Sequence, residues 1–386
     1  MGSRNRLTPQ WAADINASDP HDPESLAITQ EYEALFRKEP LEALKHLRTL
    51  YELRDRCRLD IRLNNMCLVF AEELENGARM PSVAANLTMK TLVSAGLTEL
   101  YFDMILEDDF FQEFSMWINN VFSGIFQIIQ WSHTVKEERI AKIFIDKGPA
   151  LWNHIWNSKD LLVRSDQLEI FDAKVREGLA DLSLQYQILY YEKNAFPMLA
   201  DSRVAHVGML VWIHMEPDNP RSELFLRTVM VFTRHTRSIP EVLAFVKEAA
   251  INTVGPVRFL RRLHRALELE SKIDKDLQSI VGAMAEYLHH PDVRSLLGTS
   301  GTHKALMNAV ARQEKRGLQS FRFPITISAI RLLAGITQST PLEIGAEPLL
   351  REHDMIGFIA RSVVFCARKS CQEWGKFVFC VIKDSR

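Results

Sequence analysis

The stretch of sequence that decides the fold runs from Phe110 to Trp131 and reads FFQEFSMWINNVFSGIFQIIQW. Its large apolar side chains recur every three or four positions, at Phe110, Phe114, Trp117, Val121, Ile125 and Ile128. Because an α-helix turns once every 3.6 residues, these side chains share one face of a helix. A half-buried strand would instead alternate apolar and polar residues. The stretch therefore predicts a long helix with one buried face.

The same three-to-four period continues along the chain from Pro23 to about Lys369. Leu44, Leu47, Leu50 and Leu53 also share a face, and alternating strand patterns are nearly absent. Hydrophobic residues make up 47% of the chain and charged residues 25%, a composition typical of a packed globular protein rather than a disordered one. The pattern predicts an all-α fold.

The most apolar segment, from Phe114 to Trp131, approaches the length of a membrane span. It carries four amide side chains, at Asn119, Asn120, Gln127 and Gln130. We therefore expect a buried core helix at this segment, and we expect no contact of the chain with a membrane.

Several segments combine an apolar run, a turn and a second apolar run, with the turn at Gly96, Gly148, Gly255, Gly301 and His353. These turns are separated by 52, 107, 46 and 52 positions, slightly longer than the 40–47 residues of HEAT and armadillo units. One such unit cannot bury its apolar face alone, whereas stacked units complete a continuous core. The spacing predicts an armadillo/HEAT-like right-handed superhelix, an α-solenoid. We expect a disordered N-terminal segment at residues 1–22 and a single armadillo-like domain at residues 23–386.

Several segments carry a family resemblance. The turns at Ala95–Leu97 and Lys147–Leu151 resemble the turn of armadillo repeats. Three segments, TLVSAGL (91–97), VGPVRFLRRL (254–263) and LLREHDMIGF (349–358), are similar to the long helical region of fungal proteins that carry a MYND-type zinc finger near the C-terminus. The resemblance covers most of the chain and implies a helical protein-interaction region.

The cysteine spacing departs from that family. The five cysteines are Cys57, Cys67, Cys366, Cys371 and Cys380. A MYND finger needs two zinc sites built from C-x-x-C pairs, and no such pair occurs, so we expect no zinc finger and no metal. An odd number of widely spaced cysteines is not a disulfide framework either. This pattern, and a start without a signal-peptide-like apolar run, favours an intracellular location, cytoplasmic or nuclear.

No catalytic motif is present. The sequence lacks the glycine-rich phosphate loops and the G-x-S-x-G turn of hydrolases, so we expect no enzyme activity and no cofactor. Two histidine-containing segments, His289–Asp292 and His214–Asp218, are interpreted as helix-end turns and solvated loops.

One basic stripe is a candidate binding site. Arg258, Arg261, Arg262 and Arg265 recur at helical spacing, and such a stripe could bind an acidic peptide or a phosphate. The alternative is a solvated face whose arginines pair with Glu268 and Glu270.

An aromatic concentration is a second candidate. An aromatic-lined pocket for an apolar small molecule could form from Phe114, Trp117, Trp131, Trp152 and Trp156. Ordinary core packing is the alternative.

These observations favour a non-catalytic scaffold or adaptor whose stacked helices bind a protein partner. A helical protein that binds an apolar small molecule is the other hypothesis. The net charge of -2 gives no global basic field, so we expect no nucleic-acid partner.

Overall fold

The computed structural model describes residues 23–54, 60–79, 82–108, 110–112, 115–162, 169–193, 202–219, 239–269, 274–287, 290–297, 300–316, 319–339, 347, 351 and 355–369. Within these ranges all regular elements are helical, which confirms the all-α prediction. The chain divides into two compact units, Met1–Val204 and Ala205–Arg386. The single domain expected at residues 23–386 remains a prediction, and the segment 1–22 lies outside the described residues.

The first unit is built from helices of very different lengths. They are α1 (Pro23–Lys38), α2 (Pro40–Leu53), α3 (Ile61–Arg79), α4 (Val83–Ser94), α5 (Leu97–Ile105), α6 (Ser115–Val135), α7 (Glu138–Asn157), α8 (Lys159–Leu162) and α9 (Glu169–Glu192), with a 3-10 turn at Phe110–Gln112. The helix predicted from residue 110 thus begins at Ser115 as α6, because Phe110–Gln112 forms a separate turn.

Helix α6 is the centre of the first unit. It packs most extensively against α3 and α9, and α3 packs in turn against α1. The helices α2, α4, α5 and α7 lie between these in the chain, and each packs against its neighbours in sequence. Val121, Ile125 and Ile128 of α6 are completely buried, as the apolar period predicts. Among the described residues, no helix is both long enough and apolar enough to cross a bilayer.

Gly148 corrects one sequence prediction. The turn expected at Lys147–Leu151 is absent, because Gly148 and Pro149 both lie inside the continuous helix α7. Gly148 is buried, and a Cβ atom there would lie 2.4 Å from the Tyr190 hydroxyl and 2.9 Å from Cε1 of Tyr186. The glycine therefore makes room for two tyrosines of α9 and does not mark a repeat boundary. Three other predicted turns, at Gly96, Gly255 and Gly301, do have glycine at positive φ.

The second unit continues the helical pattern. Its elements are α10 (Val204–His214), α11 (Ile239–Val246), a π-helical segment (Lys247–Ile251), α12 (Asn252–Val254), α13 (Pro256–Glu268), α14 (Asp274–Tyr287), α15 (Pro291–Arg294), α16 (Thr302–Arg316), α17 (Gln319–Ser339) and α18 (Met355–Lys369). Helix α14 packs against α17 and α11, and α13 packs against α16. The segment Ile325–Ile327, which could have been extended, is helical within α17.

Candidate functional site

Helix α13 presents the predicted arginines because its two faces differ sharply. Pro256 occupies the first turn, where its missing N–H costs little, and Gly255 precedes it at a φ of 81°. The buried apolar residues are Phe259, Leu260, Leu263, Ala266 and Leu267, and Arg262 at the edge of this face is buried as well. Because the arginines fall at offsets of three, four and seven, they lie together on the remaining face.

All four arginines line a single cavity of about 470 Å³. We call this cavity the arginine groove. Its other lining residues are Ile213, His214, Met215, Glu216, Pro217, Val254 and Val257. The segment His214–Pro217, interpreted from sequence as a solvated loop, therefore forms part of the wall of this groove. Local sequence did not show this, because it depends on how α10 and α13 pack.

Arg262 is fixed in the wall of the groove. It is only 5% exposed, and its Nε–H donates a hydrogen bond to the Trp212 carbonyl over 3.0 Å. The centre of its guanidinium lies 4.3 Å from the centroid of the Trp212 ring, a cation–π geometry. Trp212 lies in the last turn of α10, where carbonyls lack helical partners and the helix dipole favours a cation. The cation is therefore held rigidly beside the groove.

Arg258, the first arginine of the stripe, contacts His214. Its Nη2 lies 3.0 Å from Nδ1 of His214. A guanidinium can only donate, so Nδ1 accepts, and the His214 proton resides on Nε2. The contact fixes the position of the exposed Arg258 guanidinium beside His214, which also lines the groove.

Arg261 and Arg265 are exposed, as Arg258 is, and neither forms an ion pair with any described carboxylate. Glu268, the partner considered from sequence, lies 2.9 Å from His264 instead. Glu270, the other, lies outside the described residues. Within the described part of the groove lining, Glu216 is the only carboxylate. The groove thus combines the buried Arg262, the exposed Arg258 in contact with His214, and two further exposed arginines with one described acidic side chain.

The start of α13 adds a weaker positive potential at the same place. Val257 and Arg258, in the first turn of α13, both line the groove. Gly255, at the N-cap, offers no side chain to bind the first backbone N–H groups. Helix N-termini favour negative charge. Side chains and helix end therefore favour the same kind of ligand, an anion.

The aromatic candidates occupy the core of the first unit. Trp117, Trp131, Trp152 and Trp156 are all buried, and Phe114 lies outside the described residues. Trp117 packs edge-to-face on Phe110, with 5.1 Å between ring centroids. Trp131 donates its Nε1–H to Oδ1 of Asn86 over 3.1 Å. These tryptophans contact protein side chains in the way that core residues do, and the small-molecule pocket remains a hypothesis.

Trp152 belongs to a cluster with Tyr186 and Tyr190. Its ring lies 5.3 Å from that of Tyr186 in an edge-to-face arrangement. Burial raises the pKa of both tyrosines, so their phenols stay protonated at neutral pH. The cluster therefore has the neutral, close-packed character of a structural core.

The remaining histidine and cysteine candidates have structural positions where they are described. His290 is buried and accepts a hydrogen bond from the Asp292 N–H over 3.3 Å at the start of α15, which agrees with its interpretation as a helix-end residue. Cys67 is buried in α3. Among the described residues, no group of three or more His, Cys, Asp or Glu side chains could hold a metal ion. His353, Cys371 and Cys380 lie outside the described residues.

Comparison with protein-family models, with curated proteins and with solved structures finds no match to this chain in any of the three.

Proposed function

We propose that this protein is a non-catalytic scaffold that binds an acidic segment of a partner protein in the arginine groove. The observation that carries the proposal is the composition of this groove, in which four arginines face a single described carboxylate. Positive charge concentrated in a cavity favours an acidic ligand over a neutral one.

The scaffold part of the proposal rests on how the helices pack. In the first unit, α1, α3, α6 and α9 pack in series, and the intervening helices pack beside them. Contacts between helices close in sequence are typical of helical repeat proteins. We propose an α-solenoid of the armadillo/HEAT kind, related to the helical region of fungal MYND-type proteins and lacking their zinc finger.

The size of the groove favours a peptide segment. Arg258 and Arg265 are seven residues apart, about 10 Å along a helix. An extended peptide covers that distance with about three residues. A protein that binds duplex nucleic acid neutralises phosphates over a surface longer than this groove. The chain also has a net charge of -2, which does not favour a nucleic-acid ligand. An acidic stretch of a protein fits both the length and the charge.

Binding of a defined acidic probe tests the proposal. The probe is a fluorescein-labelled octaglutamate peptide, and fluorescence anisotropy measures its Kd at about 0.05 M salt, where ion pairs are weakly screened. We expect the double variant Arg261→Gln/Arg265→Gln to bind about tenfold more weakly, because each exposed ion pair contributes about 0.5–1 kcal/mol.

The matched control is Arg48→Gln/Arg139→Gln, which removes the same charge from two exposed arginines of α2 and α7. We expect this control to bind like the wild type. Equal weakening in both double variants would show nonspecific attraction to net charge and would refute the groove as the site.

A further inference from the structure

We propose that the arginine groove recognises a phosphorylated side chain, so that phosphorylation of the partner switches its binding on. This inference rests on the proposed function and adds the chemical group that the groove selects. Its basis is the number, anchoring and spacing of the guanidinium groups, together with the apolar residues beside them.

The number of arginines exceeds what a carboxylate can use. A carboxylate has two oxygens, and one arginine can satisfy both with a bidentate pair. A phosphoryl group has three terminal oxygens and a charge of about −1.5 to −2 at neutral pH. The three exposed guanidinium groups of the groove, those of Arg258, Arg261 and Arg265, can share such a group in a cavity of about 470 Å³, and the buried Arg262 adds its charge to the wall. The charge density of the groove therefore matches phosphate better than carboxylate.

Two of the arginines are already in place before a ligand arrives. Arg262 is held by the carbonyl and ring of Trp212, and Arg258 is held by Nδ1 of His214. Side chains that are ordered in advance lose less conformational entropy on binding. The exposed Arg261 and Arg265 can then close over the remaining oxygens. Two arginines that are ordered in advance and two exposed arginines that can close over the ligand are suited to bind a small anion with several charged oxygens.

The apolar part of the lining favours a phosphorylated protein over free phosphate or a lipid headgroup. Val257 is 56% exposed at the edge of the groove, and the partly exposed Val254 and Pro217 also line it, whereas Ile213 and Met215 are buried. An inorganic anion has no surface that these side chains could bury, whereas residues flanking a phosphorylated side chain have apolar groups that they can contact. We therefore assign the groove to a phosphorylated peptide segment.

The test uses the full-length protein and three fluorescein-labelled libraries of degenerate eleven-residue peptides. The central residue is phosphoserine in the first library, serine in the second and glutamate in the third. We expect the phosphoserine library to bind at least tenfold more tightly than the serine library and several-fold more tightly than the glutamate library. Inorganic phosphate should compete only at a far higher concentration than unlabelled phosphopeptide.

Variants give the second readout. Arg261→Lys keeps the charge but loses the planar fork that pairs with two oxygens at once, so we expect it to weaken phosphoserine binding by a larger factor than octaglutamate binding. Arg48→Lys, on α2, is the matched control and should change neither. Far-UV circular dichroism of each variant shows that the helices are intact, since both positions are exposed.

The contradicting outcomes separate the two proposals. Equal affinity for the phosphoserine and glutamate libraries would overturn the phosphate preference and leave the acidic-segment scaffold standing. Failure of every acidic peptide to bind would overturn both. Competition by inorganic phosphate as effective as that by phosphopeptide, or binding to vesicles containing phosphatidylinositol phosphates without binding to peptides, would overturn the assignment to a protein segment.

Discussion

Replacement of Gly148 by alanine tests the packing of the first unit at its tightest point. In an exposed helix this change stabilises by about 1 kcal/mol, because alanine has the higher helix propensity. Here the added Cβ would lie 2.4 Å from the Tyr190 hydroxyl and 2.9 Å from Cε1 of Tyr186. Both tyrosines are completely buried. Overpacking of this kind costs about 1–3 kcal/mol.

We therefore expect Gly148→Ala to lower the free energy of unfolding by up to about 2 kcal/mol after the propensity gain is subtracted. The second variant, Tyr190→Phe, removes the atom nearest to the new methyl group. It should cost little alone, since the buried Tyr190 hydroxyl makes no hydrogen bond with the described part of the chain. Gly148→Ala should be less destabilising in the phenylalanine background, with a coupling energy of about 1 kcal/mol.

Urea unfolding followed by far-UV circular dichroism measures all four proteins of this double-mutant cycle. The comparison is valid if the dependence of the unfolding free energy on urea is the same in each. Stabilisation by Gly148→Ala in the presence of Tyr190, or equal effects in both backgrounds, would refute the close approach of α7 and α9.

Three further predictions concern single residues. Arg262→Ala should lower the stability of the second unit by about 2–4 kcal/mol, because it removes the buried contacts with Trp212; Arg261→Ala, at an exposed site, should change it by less than about 0.5 kcal/mol. Thermal unfolding followed by tryptophan fluorescence compares the two. Gly255→Ala should cost about 1–3 kcal/mol in the same assay although no atom lies within 4 Å of the new Cβ, because the φ of 81° with ψ of 155° is strained for alanine. For the surface residue Glu72, partial desolvation and then the charges of three neighbouring glutamates raise the pKa above its ordinary value, so the ionised form destabilises the fold. Glu72→Gln should therefore raise the free energy of unfolding by about 0.3 kcal/mol at pH 7 and low salt. The gain should vanish at pH 4, where the Glu72 carboxyl group is largely protonated. An equal gain at pH 7 and pH 4 would contradict a raised pKa of Glu72.

The sequence predicted the fold class because burial and helical period agree in the longest segments. In α6 the residues at helical spacing, such as Val121 and Ile125, are the ones that α3 and α9 bury. The helical period does not predict whether a glycine lies at a turn or makes room for a neighbouring side chain. Gly96 lies at positive φ and begins a helix, as expected, whereas Gly148 lies within one and makes room for Tyr190. Distinguishing the two cases requires the position of α9, which is a tertiary contact.

The candidate site was predictable in part for the same reason. The spacing of the arginines predicted that they share one face of a helix. It did not predict that Arg262 is buried against Trp212, or that His214 holds Arg258, because these contacts join α10 and α13 across about 50 residues. The loop His214–Pro217 has the local composition of a solvated turn, and only the packing of α13 against it makes it a groove wall.

Photo-crosslinking from Val257 tests most directly whether the arginine groove binds an acidic, phosphorylated partner. The photoreactive residue p-benzoylphenylalanine replaces the 56% exposed Val257, and in the control it replaces Leu87 of α4, which is 64% exposed. The protein is irradiated in a native extract, and mass spectrometry identifies the crosslinked peptide. We predict a crosslink from position 257 to a peptide that carries a phosphorylated residue, lost in Arg261→Gln/Arg265→Gln and absent from position 87. Crosslinks to peptides without phosphate or acidic residues, or crosslinks that persist unchanged in the double variant, would contradict the account.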